Sequence, residues 1–160
     1  MWKKLSAVLK EINGYYEMLY TLNVKKRNVL VSVDMKLLAE IIKKEEEIAE
    51  HINQAETRRQ SILVDLSGAC GGLKPNANSR ELYQFMPAEM RAEFKERHEK
   101  LEKIVAKVKQ LSEDNKLLIT SALSAVNFHL NQIGGSVVEP AYGQKGQEVV
   151  SKQKKFDFKA

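Results

Sequence analysis

The chain has 160 residues, 43% of them hydrophobic and 29% charged, with a net charge of +5. That length suits one domain with a core of its own, and the mixture of apolar and charged residues is typical of long helices with one wet side. Basic and acidic residues alternate, as in Lys43-Lys44-Glu45-Glu46-Glu47, instead of gathering Lys and Arg on one face, so nucleic-acid binding is not expected.

Cys70 is the single cysteine, which excludes an internal disulfide and points to a reducing compartment. The start, Met1-Trp2-Lys3-Lys4, resembles the charged beginning of a signal peptide. The apolar run behind it ends at Leu9, before Lys10 and Glu11, and is too short for one. No stretch approaches the ~18 apolar residues that span a bilayer. These features predict a soluble, cytoplasmic chain without membrane insertion.

In chain order, Leu5, Leu9, Ile12, Tyr16 and Leu19 step by four and three and predict a helix over about 3–31. Gly14 costs that helix about 1 kcal/mol relative to alanine. The β-branched stretch from Val29 to Val33 reads as its end, because Asp34 offers an N-cap for the next helix. That second helix, 34–66, keeps a three-four alternation through Leu38, Ile41, Glu45, Ile48, Ile52, Ala55, Arg59, Ile62 and Leu66, the pattern of coiled-coil packing. Glu45 and Arg59 are charged at seam positions, with stems that lie on the seam and heads expected in water.

Ser67 to Asn78, with three glycines and a proline, predicts a loop. Ser79 is expected to cap a short helix over 79–86, closed by Pro87. A very long helix then occupies 88–133, with Phe94, Arg97, Leu101, Ile104, Val108, Leu111, Asn115, Leu118, Ala122 and Ala125 as its seam. Asn115 sits where a buried asparagine fixes register. Beside that seam runs a second stripe, Ile119, Leu123, Val126, Leu130 and Ile133. Either the first two helices cover both stripes, or the second is a docking surface for a partner helix. Gly134 and Gly135 end the helix, and 134–160 lacks a sustained apolar period, which predicts a flexible partner-binding tail. The expected fold is all-α: an elongated antiparallel helical hairpin or three-helix coiled-coil bundle, 1–133, with a mobile tail. A homodimer that exchanges helices is equally compatible with the heptads.

Chemistry finds no foothold. Ile62 to Lys74 imitates a strand entering a phosphate loop, but Leu73 and Pro75 flank Lys74 where that motif needs Gly and Ser or Thr. His51, His98 and His129 are preceded at three residues by Ile48, Lys95 and Val126, so the Glu-x-x-His pairs of di-metal bundles are absent. No catalytic residue, metal ligand or cofactor is assigned.

The order of elements resembles the flagellar export chaperone FlgN family. The likeness is carried by Lys25 to Leu30 followed by Asp34 and Leu37-Leu38, by Leu38 to Leu63 with Glu56-Thr57-Arg58-Arg59, and by Asn115 to Leu118, Ser121-Ala122-Leu123 and Val126-Asn127-Phe128. It continues in Tyr142-Gly143-Gln144-Lys145-Gly146 and the final Phe156-Asp157-Phe158-Lys159-Ala160. The resemblance implies a cytoplasmic type III export chaperone that binds the hook-filament junction proteins FlgK and FlgL, prevents their premature association and brings them to the export gate. In such a protein the end of the last helix and the tail bind substrate. Tyr142 matches the tail tyrosine tied to the gate component FlhA, and Phe156 and Phe158 are further tail contacts. A generic coiled-coil adaptor or oligomerisation scaffold is the competing reading.

Overall fold

The computed structural model describes residues 1–134. The chain divides into two units, Met1–Lys116 and the part from Leu117 onward. Among the described residues there are four helices, α1 (Trp2–Ser32), α2 (Met35–Ala69), α3 (Ser79–Phe85) and α4 (Ala88–Gly134). The fold is all-α, as the periodicities predict.

Within the first unit α1 and α2 are antiparallel. Glu11 accepts a bond from Arg58 at 2.7 Å near one end, and Lys26 meets Glu45 at 2.6 Å near the other. Their apolar faces close on each other: the expected seam residues Ile12 and Ala55 cluster with Val8, and Leu38 and Ile41 with Val29. Glu45 does not reach for water. Its side chain and that of Lys26 are both largely buried as a pair, since a buried carboxylate is tolerated only beside a counter-charge. Arg59, the other seam charge, is likewise held by Glu56 at 2.6 Å.

The reversal between the two helices is tight. Val33 lies in the left-handed region at φ 58°, and its N–H and that of Asp34 both donate to the Val29 carbonyl, closing α1. Asp34 then caps α2 by accepting the Leu37 N–H at 3.0 Å. A β-branched residue in this conformation is strained by ~1–2 kcal/mol. Val33→Asn is therefore expected to stabilise the protein by about 1 kcal/mol, read as a rise in urea midpoint with an unchanged slope.

The Arg58 guanidinium holds the Glu11 carboxyl below its ordinary value, against the opposing effect of burial, and the Tyr15 hydroxyl, donating at 3.1 Å, adds to the lowering. A depressed folded value means stability present above the ordinary carboxyl range and lost as pH falls through the folded value. Glu11→Gln should flatten that acid limb in pH-dependent denaturation, by less than about 1 kcal/mol because the pair is partly solvated.

α4 runs parallel to α1 in this unit; Phe94 packs with Leu5 and Leu9 near one end, and polar contacts continue along the pair. Asn13 donates to the Arg97 carbonyl at 3.0 Å, and Lys100 meets Glu17 at 2.7 Å. Asn115 donates to the carbonyl of Asn23 at 2.9 Å, while the Ser112 hydroxyl donates to the Asn23 side-chain oxygen at 3.1 Å. Asn115 is 1% exposed, so the seam asparagine is buried where the heptad places it.

The glycine-rich segment is packed more firmly than its composition suggests. Leu73 and Ala77 are buried and join Leu5, Leu9, Leu63, Leu66, Leu82, Met86 and Phe94 in the main core. Gly72 makes the turn at φ 93°, with the Phe85 ring 3.7 Å from where a Cβ would stand. The cap of α3 is Asn78, not Ser79: Asn78 accepts the Glu81 N–H at 3.1 Å, and Glu81 accepts the Asn78 N–H at 2.8 Å. That reciprocal box needs Glu at the third helical position, which only Asn78 satisfies.

Candidate partner-binding surface

The character of α4 changes after Asp114. From Ala88 to Asp114 charged residues recur in almost every turn, whereas from Asn115 to Gly134 the only Asp, Glu, Lys or Arg is Lys116. The rest of that stretch is Leu, Ile, Val, Ala and Phe with uncharged Ser, Thr, Asn and Gln, plus His129. Nevertheless, among the described residues no helix is long and apolar enough to cross a membrane.

Its apolar side chains are not used in a core. Every side chain from Thr120 to Leu130 is exposed, including the seam positions Ala122 and Ala125 that the heptad expects to be covered. Leu123, Val126, Leu130 and Ile133 are 59, 53, 59 and 84% exposed, while Ile119 is half-buried. Spaced four, three, four and three, these five fall on one face of a continuous helix. They extend over about 21 Å at 1.5 Å per residue. Leu117 and Phe128 are exposed as well and, at 100° per residue, lie on the opposite side. Neither falls on a predicted stripe; a large apolar residue outside both stripes was the available signal of this second exposed side.

A surface with several exposed aliphatic side chains and almost no charge has the composition of an interface core, where charged residues are depleted. His129 is exposed beside the Phe128 ring, His51 stacks on Tyr15 at 5.3 Å, and His98 lies between Phe94 and Glu102. Among the described residues no group of three or more His, Cys, Asp or Glu is placed to hold a metal ion. Tyr142, Phe156 and Phe158 lie outside the described residues.

A family model described as FlgN protein matches residues 1–149. The chain belongs to the FlgN family. No curated protein and no solved structure matches. The family is one of flagellar export chaperones, and the match takes in the whole bundle, the uncharged end of α4 and Tyr142, stopping short of Phe156 and Phe158.

Proposed function

We propose that this FlgN-family chain is a cytoplasmic chaperone of flagellar type III export that captures hook-filament junction proteins of the FlgK and FlgL kind. The observation that carries this reading is the uncharged end of α4, with Leu123, Val126, Leu130 and Ile133 exposed on one face. A helical segment of the substrate docks its apolar side on that face, as amphipathic helices do in grooves and bundles. Holding the segment there keeps it from assembling early. Tyr142, Phe156 and Phe158 supply further contacts, to the substrate or to the gate component FlhA.

The test is co-purification with candidate junction proteins, comparing the full chain with one ending at Ile133. Capture by the full chain that is lost or much weakened in the shorter one supports the chaperone reading and puts necessary contacts after Ile133. Equal capture leaves the face on α4 sufficient and removes the contacts assigned to Tyr142, Phe156 and Phe158. Capture by neither leaves a helical adaptor, the competing reading.

A further inference from the structure

A second exposed apolar feature lies in the first unit, at the reversal between α1 and α2. Val31, Val33, Met35 and Leu37 are 72, 70, 65 and 42% exposed, and they straddle the turn instead of lining one helix face. The turn itself holds Val33 in a left-handed conformation that asparagine or glycine would adopt more easily. A strained, solvent-facing valine is poor folding chemistry, and its side chain is better explained by something it touches.

The surroundings indicate what that is. From Lys25 to Lys44 there are six basic residues and two acidic ones. Lys26 and Arg27 are taken by Glu45 and Asp114, whereas Lys25, Lys36, Lys43 and Lys44 are exposed and form none of the ion pairs among the described residues. Of the acids, Asp34 is occupied in capping α2. With Lys25 and Lys36 flanking the turn and Glu40 the one acid in the span not engaged in a cap, the net positive charge opposes tip-to-tip pairing of two copies, because like charges would meet. It suits an anionic surface that tolerates irregular shape. Lysine stems can lie along the apolar tip with the ammonium reaching outward.

We propose that the α1–α2 tip is a peripheral contact for an anionic lipid surface: Val31, Val33 and Met35 enter the interfacial layer, and Lys25 and Lys36 meet the headgroups. Lys43 and Lys44, farther along α2, add longer-range attraction. Adsorption of this kind needs no membrane span.

The experiment is co-sedimentation of the full chain with phosphatidylcholine vesicles, with and without phosphatidylglycerol, at low and high ionic strength. Two variants accompany it: Val31→Ser with Val33→Asn and Met35→Ser, and Lys25→Glu with Lys36→Glu. All five positions are exposed, so circular dichroism should not change. The expected result is binding to the anionic vesicles that weakens in high salt, with each variant weaker by about tenfold or more. Failure of the unaltered chain to bind overturns the proposal and leaves the tip as a contact for an acidic protein. Binding that survives the triple substitution also overturns it, because the contact then lies elsewhere, for instance in the lysines from Lys145 to Lys159.

Discussion

Replacing Leu123 and Leu130 with glutamate is expected to abolish capture of the junction proteins and leave the fold intact. Both side chains are 59% exposed on an otherwise nearly uncharged helix surface. As surface positions they contribute little to stability, so the double variant should unfold within about 0.5 kcal/mol of the parent. The effect on capture is of another order. Each glutamate would bring a carboxylate into the proposed interface, where the end of α4 from Asn115 to Gly134 offers no Lys or Arg beyond Lys116, and an unpaired buried charge costs several kcal/mol. Pull-down and circular dichroism together decide the matter. If helix content and capture fell together, the two leucines would be structural and the docking surface would have to be sought elsewhere.

The largest loss of stability is expected at the other end of α4. Phe94 is 2% exposed, edge-on to Tyr83 at 5.7 Å and parallel to His98 at 6.3 Å. It joins α4 to a core supplied by α1, α2, α3 and the glycine loop. Phe94→Ala should cost ~3–5 kcal/mol, a large part of the ~5–15 kcal/mol that holds a domain of this size. Urea denaturation followed at 222 nm, by the far-ultraviolet convention for helices, reads it directly. A loss below about 1 kcal/mol would mean that the junction collapses around the deleted ring, and that the loop and α3 are not anchored through it.

The helices were legible because their physics is local. Stepwise apolar spacing marked α1, α2 and α4, and Asp34 marked the start of α2, since a side chain that bonds an N–H three residues on needs nothing from the rest of the chain. Asn115 was legible by the same logic, as a polar residue on an apolar stripe. Its partner Asn23 was not, because nothing in the sequence says that α4 lies parallel to α1. Leu73, Ala77 and Met86 were missed for a related reason. They are buried among residues distant in sequence, and three glycines and a proline nearby disguise an anchored segment as a loose one. Ser79 was the expected cap of α3 because serine is a good cap former; the reciprocal bond between Asn78 and Glu81 puts the cap one residue earlier.

The extent of burial along α4 was the least legible property of the candidate surface. The heptad persists through Ala122 and Ala125, but a repeat in one helix reports only what that helix can offer, not whether another helix is there to accept it. Both are exposed. The residues after Ile133 carry no periodic pattern at all, and the functional roles of Tyr142, Phe156 and Phe158 rest on resemblance.

The continuity of α4 bears on the docking proposed for the exposed stripe. The stretch from Leu117 to Gly134, detached and in water, would have to start its helix unaided, which is unfavourable because starting a helix fixes several residues for a single hydrogen bond. Here that initiation is already accomplished between Ala88 and Lys116, where Phe94, Val108 and Asn115 are buried, and each later residue needs only to be added to a growing end. The stripe is thus presented in register before anything binds, as a template instead of a sequence that must first find its shape.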